Sequence, residues 1–186
     1  MPSKKDLYRN YSFDVETFNS ISESIVNSDV SVFNPLVIDD FGYTTDTLPN
    51  SINLVPLTDI EYAGLDIAVS CRELISQIEE NYDLLCTVSA YYPPNGFIDW
   101  HTNKNVEMYN AICTYSHNGD SFFEYQNGGD TIRIDDDTGW NVKLTKWSYD
   151  TPINHRAVSN THRITFTFSS KNRTNVDNFI ENYLGI

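Results

Sequence analysis

Three segments of the chain carry apolar residues at helical spacing. The first covers roughly residues 14–27, where an apolar side chain recurs every third or fourth position. The second, about 58–82, opens with Thr58-Asp59-Ile60-Glu61, which has the form of a helix-capping box. The third begins with a similar box from Thr174 to Asp177. The pattern therefore predicts three amphipathic helices, each with one apolar face to bury.

Between residues 84 and 169 the pattern changes to short runs rich in β-branched and aromatic residues. Turn-forming residues separate these runs about every ten positions. Seven or eight strands fit into this region, which leaves little room for helical crossovers. We therefore predict a mainly β fold with flanking helices, in which the strands form an antiparallel jelly-roll barrel and the N-terminal helices pack on one sheet.

The length of the chain favours one domain. A sequence of 186 residues is long enough for one sizeable core and short for two. We expect a single domain over 1–186, with a helical N-terminal region at 1–83, a β core at 84–169 and a C-terminal helix at 170–186. Within the first region, Pro and Gly interrupt residues 29–57, which we expect to be loop and short extended pieces.

The charge balance narrows the class of partner. Twelve Lys and Arg stand against 26 Asp and Glu, a formal net charge of −14. Such a charge repels nucleic-acid backbones and anionic membranes, so we expect neither as a partner. A small-molecule or peptide substrate remains open, and no pattern in the sequence bears on the oligomeric state.

Cysteine usage and the N-terminus indicate a cytoplasmic protein. Cys71, Cys86 and Cys113 are odd in number and lie among apolar residues, which fits buried thiols in a reducing compartment. The N-terminus has no apolar signal region, and no window approaches the ~20 apolar residues that span a bilayer.

Two of the four histidines are candidate metal ligands. His101 ends a short strand that follows a tight turn, and a period of two places it on the same face as Asn103. His155 lies just before the last strong strand. A single histidine in a β protein is more often a hydrogen-bonded structural residue than a ligand, so the interpretation depends on what accompanies the pair.

The last strong strand contains further residues that support a site beside the two histidines. In Arg163-Ile164-Thr165-Phe166-Thr167-Phe168 one face is apolar, and the other carries Arg163 and two threonines. If the second face looks into a barrel, Arg163 is a buried cation that needs an anion, and its planar fork suits a carboxylate. We interpret the acidic run at 135–137 as a solvated turn.

With these residues assembled, 85–169 resembles the 2-oxoglutarate and iron(II)-dependent dioxygenases, in particular compact, stand-alone prolyl-hydroxylase-like members. That family has a double-stranded β-helix carrying a His-x-Asp/Glu pair, a distal His and a distal Arg. The resemblance implies an oxidoreductase of the hydroxylase type that uses Fe(II) and 2-oxoglutarate. It assigns His101 and His155 to the metal and Arg163, with Thr165, to the far carboxylate of 2-oxoglutarate.

The resemblance also assigns Tyr92 and Tyr115 to the cosubstrate pocket, because family members carry tyrosines at roughly these positions. One residue departs from the family pattern: Asn103 stands where the family has its carboxylate. An amide is a weaker ligand than a carboxylate for a hard dication. The third place in the metal site is therefore open to Asn103, to Asp99, which alternation puts on the face of His101, or to water.

Two other functions remain open on the sequence. A jelly-roll module that has lost redox activity would use the same pocket to bind a small ligand, and the missing carboxylate favours it. A cupin-like iron enzyme ranks third, because the additional histidine or glutamate ligands of cupins are not evident.

Overall fold

The computed structural model describes residues 9–38, 49, 51–103 and 107–186. In these ranges the strands are β1 (Asn10–Ser12), β2 (Leu36–Ile38), β3 (Ile52–Pro56), β4 (Leu85–Tyr92), β5 (Gly96–His101), β6 (Met108–Ser116), β7 (Ser121–Asn127), β8 (Asp130–Asp135), β9 (Gly139–Trp147), β10 (His155–Ser159) and β11 (Arg163–Ser170). The helices are α1 (Glu16–Asn27), α2 (Ile60–Ala63), α3 (Leu65–Tyr82) and α4 (Arg173–Phe179), with a 3-10 turn at Val30–Val32 and a π turn at Ile180–Leu184.

The strands form one curled antiparallel sheet in the order β1-β9-β6-β11-β4-β3-β5-β10-β7-β8, with β2 beside β3. Strand β3 makes the corner, because Val55 and Pro56 pair with β4 while Ile52 and Asn53 pair with β5. This divides the sheet into a major half (β1, β9, β6, β11, β4) and a minor half (β5, β10, β7, β8). The eight strands from β4 to β11 are distributed over the two halves as in a double-stranded β-helix, which confirms the predicted fold class.

The helices cover the outer face of the major half. Ile164, Phe166 and Phe168 point outward from β11 and are fully buried in one apolar cluster with residues of α1, α3 and α4. Among these are Phe18 of α1 and Phe179 of α4, whose rings lie 5.9 Å from Phe166 and 5.3 Å from Phe168 between centroids. Burial of one such side chain contributes about 1.5–3 kcal/mol, so this cluster is the main apolar core.

Gly64 divides the helix that the sequence predicts over 58–82. Its φ of +80° is a conformation that favours glycine, and it ends α2 and precedes α3. The start is capped by Asp59 rather than Thr58, because the Asp59 carboxylate accepts from the backbone N–H of Glu61 at 2.9 Å. Apolar periodicity continues across Gly64, so the break could not be seen in the pattern.

The N-terminal region contributes more than helices. Strands β1, β2 and β3 have three to five residues each and extend the sheet. Such short strands leave too few positions for alternation to be recognised. Residues 39–48 and 50, within the predicted loop, lie outside the described residues.

The three cysteines are free thiols. Cys71 and Cys113 are buried and Cys86 is half-buried. Burial raises the pKa of Cys71 to about 12, so this thiol stays protonated and unreactive at neutral pH. In the described ranges, no helix is both long and apolar enough to cross a membrane.

Candidate functional site

A cavity of ≈ 80 Å³ lies between the two halves of the sheet. Side chains alternate along β11, so the face opposite to the helices points into this space. Six of the eight residues singled out in the sequence line it: Tyr92, His101, Asn103, His155, Arg163 and Thr165. The fold therefore brings together residues that are up to 73 positions apart in the chain.

His101 and His155 are direct cross-strand neighbours. They are paired in the register of β5 with β10, and their ring centroids are 4.2 Å apart. Nδ1 of His101 lies 2.8 Å from the backbone oxygen of Asp99, and Nδ1 of His155 lies 3.0 Å from that of Ile153. A carbonyl oxygen only accepts, so each Nδ1 carries the hydrogen and each neutral ring keeps an unprotonated Nε2. That is the state in which histidine binds a metal, with the other nitrogen held by a backbone acceptor.

Burial keeps both rings neutral. It is the main cause that lowers the pKa of His101, and it lowers the pKa of His155 to about 3, with the neighbouring His101 as the next cause. Trp147 stacks on His155 at 6.2 Å between centroids, and Phe123 lies at 5.4 Å. These rings cover His155, which is buried, while His101 is half-buried beside it. The lowered pKa values leave the pair as two uncharged nitrogen donors at neutral pH.

Asn103 occupies the third position. Its Nδ2 lies 3.3 Å from Nε2 of His155 and donates to it. Rotation by 180° about the last side-chain bond exchanges the amide nitrogen and oxygen, so the same position can offer an oxygen to a metal. In the described part of the chain, no group of three or more His, Cys, Asp or Glu side chains is placed to hold a metal ion. A metal here would rely on two histidines with Asn103 or water.

Asp99 does not line the cavity. The pairing of β5 with β10 shifts between His155 and Ala157, so that Ala157 is paired with Ile98. This bulge breaks the alternation on which the placement of Asp99 rested, and Ile98 lines the cavity together with His101. Asp99 serves the site through its backbone oxygen, which holds the ring of His101.

Arg163 lies at the other end of the cavity and is only 2% exposed. Its Nη1 donates to Oγ1 of Thr165 at 2.7 Å, and its guanidinium carbon lies 5.0 Å from the ring centroid of Tyr92. Tyr92 is the register partner of Arg163 on β4, which explains why the two side chains share the interior face. The predicted cosubstrate residues Tyr92, Arg163 and Thr165 thus form one contiguous group.

The anion that Arg163 requires is present within the chain. Nε of Arg163 donates to Oδ2 of Asp136 at 2.9 Å, and Nζ of Lys143 donates to Oδ1 of the same carboxylate. Ser121 adds a hydrogen bond from its hydroxyl at 2.8 Å. Burial alone would raise the pKa of Asp136, but Arg163 and Lys143 outweigh it and hold that pKa well below its usual range.

The interpretation of 135–137 as a solvated turn is therefore wrong for Asp136, which is 3% exposed. The run of three aspartates gives no indication of which one turns inward. A signal was available on β9, where alternation puts Lys143 on one face with Asn141 and Thr145. A lysine in the middle of a strand on a polar inward face requires a buried acid.

Tyr115 is not part of the cavity. It is the register partner of Ile164 on β11 and of Trp140 on β9, and both of these residues point outward. Its ring lies 5.6 Å from that of Trp140, and its hydroxyl lies 3.4 Å from Nδ1 of His117. The resemblance to the dioxygenase family assigned Tyr115 to the cosubstrate pocket, but strand alternation places its side chain on the helix-covered face.

Comparisons with known proteins give structural neighbours only. No protein-family model matches the sequence, and a search of curated proteins also finds no match. Among solved structures, a prolyl hydroxylase from Trichoplax adhaerens, in complex with a hypoxia-inducible-factor peptide, is 11% identical with a TM-score of 0.48, covering 92% of this chain and 86% of that one.

Two further neighbours are of the same kind. A 2OG-Fe(II) oxygenase family member from Burkholderia pseudomallei is 12% identical with a TM-score of 0.47, covering 83% of this chain and 78% of its own. A prolyl-4-hydroxylase from Pseudomonas putida is 13% identical with a TM-score of 0.45, covering 88% of this chain and 92% of that one. At this level of similarity the neighbours do not assign an activity, a cosubstrate or a substrate to this chain.

Proposed function

We propose that this protein is a 2-oxoglutarate- and Fe(II)-dependent oxygenase that hydroxylates a small-molecule or peptide substrate. The observation that carries the proposal is the register-paired couple His101 and His155, whose unprotonated Nε2 atoms face a cavity that also contains Arg163 and Thr165. A protein that only folds around this cavity has no need for two uncharged nitrogen donors at one end and a cation at the other.

In this proposal the two ends of the cavity have separate roles. His101 and His155 hold Fe(II), and Asn103 or water completes the protein side of the metal site. Arg163, Thr165 and Tyr92 bind the far carboxylate of 2-oxoglutarate through the guanidinium and two hydroxyl groups. Bound iron and 2-oxoglutarate supply the oxygen activation that side chains lack.

The protein's own contribution is orientation and the exclusion of water. The hydrogen bonds from Nδ1 of the histidines to Asp99 and Ile153 fix both ring orientations. Trp147 and Phe123 shield the ring of His155 from solvent. The net charge of −14 supports an enzyme without nucleic-acid or membrane partners, and the three free thiols support a cytoplasmic location.

The first test mixes apoprotein, Fe(II) and 2-oxoglutarate without oxygen and records the visible charge-transfer absorption of the metal-bound keto acid. We expect a band in the wild type and in His117→Ala, which removes an exposed histidine outside the cavity. His155→Ala should abolish it. Absence of the band in folded wild-type protein, together with no rise of the melting temperature on addition of both ligands, would refute the proposal.

A second test addresses Asn103. Restoring a carboxylate by Asn103→Asp adds a charged oxygen ligand beside two histidines, so metal affinity should rise by about tenfold or more. Competition titration against a fluorescent chelator measures this. An unchanged affinity would remove Asn103 from the metal site and leave water in the third position.

A ligand-binding module without redox activity is the second candidate. Two contacts favour it: the amide of Asn103 donates to the nitrogen of His155 that a metal would use, and Asp136 already neutralises Arg163. Metal analysis of the purified protein discriminates between the two functions. A binding module contains no stoichiometric iron, nickel or zinc and binds its ligand equally well in the presence of a chelator.

A further inference from the structure

The interior contains three charged side chains. Among the described residues, Asp136, Lys143 and Arg163 are the only buried Asp, Glu, Lys or Arg side chains, at 3%, 0% and 2% exposure. Two cations and one carboxylate leave this cluster with one surplus positive charge. Burial lowers the pKa of Lys143, and its ion pair with Asp136 opposes that effect and favours the ammonium form.

The carboxylate of Asp136 is divided between the two cations. Oδ1 accepts from Lys143 and Oδ2 accepts from Arg163, so each cation has half of one countercharge. Arg163 lines the cavity, whereas Lys143 lies behind it on β9. Buried charges interact strongly even without direct contact, because little water screens them.

The same region also has unused hydrogen-bonding capacity. Thr114 Oγ1 is buried and has no hydrogen-bond partner in the described part of the chain. Thr114 is the register partner of Thr165 on β11 and of Asn141 on β9, so it lies on the inward face between the strands that carry Arg163 and Lys143. A surplus positive charge and an orphaned hydroxyl on one face indicate that this end of the interior is built to receive an anion.

We propose that Lys143 is the residue that sets the charge selectivity of the cavity. Because Asp136 cancels one of the two cations, Lys143 supplies the net positive charge that makes a ligand with a terminal carboxylate favourable. It acts through Asp136 and Arg163 and is a positioning residue, not one that touches the ligand. The inference rests on the proposed function only in taking this cavity as the keto-acid site.

The experiment compares ligands that differ only in the terminal carboxylate. Affinities of glutarate and pentanoate are measured by calorimetry without metal, and those of 2-oxoglutarate and 2-oxopentanoate with Mn(II) under exclusion of oxygen. The variants are Lys143→Met, Lys143→Arg, the double variant Asp136→Asn/Lys143→Met, and the control Lys146→Met, an exposed lysine on the same strand.

The expected outcome follows from counting interior charges. Wild type, Lys143→Arg and Lys146→Met keep one surplus positive charge and should prefer the dicarboxylate. Lys143→Met has none, and its preference should fall roughly tenfold, the effect of one charge about 10 Å away at an effective dielectric constant of about 20. The double variant regains one surplus charge, so the preference should return.

A fall in preference for Lys143→Met but not for Lys143→Arg is the decisive measurement, because a merely structural role for Lys143 would change the affinities for both ligands alike and leave their ratio unmoved. Lys143→Met keeps the Asp136–Arg163 pair and is the variant better able to fold, whereas the double variant leaves Arg163 without its carboxylate, so circular dichroism checks the fold of each variant. A wild type without preference for glutarate, or a double variant that does not regain it, would overturn the inference. Glutarate preference without any metal-dependent binding of 2-oxoglutarate would instead refute the proposed function alone.

Discussion

The two faces of the major half of the sheet are opposite in character although both are buried. On β11 the outward residues Ile164, Phe166 and Phe168 pack against helices, while the inward Arg163 and Thr165 line a cavity. The outward face stabilises the folded state by removing apolar surface area from water. The inward face holds polar groups that need specific partners and leaves space beside them. A shift of one residue in strand register would exchange the two faces, so the fold and the site depend on the same alternation.

The largest expected effect is on the inward face. Asp136→Ala leaves Lys143 and Arg163 buried without a countercharge, and the free energy of unfolding should fall by about 5 kcal/mol. Urea denaturation followed by fluorescence measures this. The matched control is Asp137→Ala, an exposed neighbour, which should stay within about 0.5 kcal/mol of the wild type. A loss below about 1 kcal/mol for Asp136→Ala would mean that the two cations find other partners.

The outward face should respond to a loss of volume. Phe166→Ala removes a fully buried ring in contact with Phe18 and Trp140, at a cost of about 4 kcal/mol. Thr167→Ala, on the inward face, borders an existing cavity and should cost about 1 kcal/mol. The same urea titrations compare the two. Equal losses of unfolding free energy in the two variants would contradict the distinction between a packed outward face and an inward face that borders a cavity.

Acid should act on the inward face. The folded-state pKa of Asp136 lies below its unfolded value, so the stability from its ionised form is complete above about pH 5 and is lost as pH falls through the unfolded value towards the folded one. On acidification, the free energy of unfolding of Asp136→Asn/Lys143→Met should fall by about 3 kcal/mol less than that of the wild type. Thermal unfolding between pH 7 and pH 2 measures the difference. Parallel pH profiles would show that Asp136 does not control the acid response.

The smallest effect is expected at Tyr115. Tyr115→Phe removes a hydroxyl outside the cavity and should change stability by less than about 0.5 kcal/mol, with unchanged 2-oxoglutarate affinity. Tyr92→Phe changes a cavity residue against Arg163 and should weaken 2-oxoglutarate binding. Titrations with Mn(II) under exclusion of oxygen compare the two variants. Weaker binding by Tyr115→Phe would contradict its outward placement.

Local alternation and spacing explain how much could be predicted from the sequence. The period of two in 163–168 separated an apolar face from a face with Arg163. The turn signals between 84 and 169 predicted seven or eight strands, and the structure has eight there, β4 to β11. Long helical stripes predicted the bounds of α1 within two residues and the end of α3 at residue 82, but the predicted start at 58 lies seven residues before Leu65. Strand β1, the positions of β2 and β3 within the predicted short extended pieces, and the break at Gly64 were not predictable, because each depends on pairing or packing with distant residues.

The sequence by itself determined which residues could do chemistry: His101, His155 and Arg163 stand out by type and by position in their strands. Only the tertiary structure decided their surroundings. It placed Asp136 against Arg163 across 27 positions, inserted the bulge that turns Asp99 away from the cavity, and turned Tyr115 to the helix-covered face. The physical reason is that alternation is a local property of one strand, whereas register, bulges and the partner of a buried charge are set between strands that meet only in the fold.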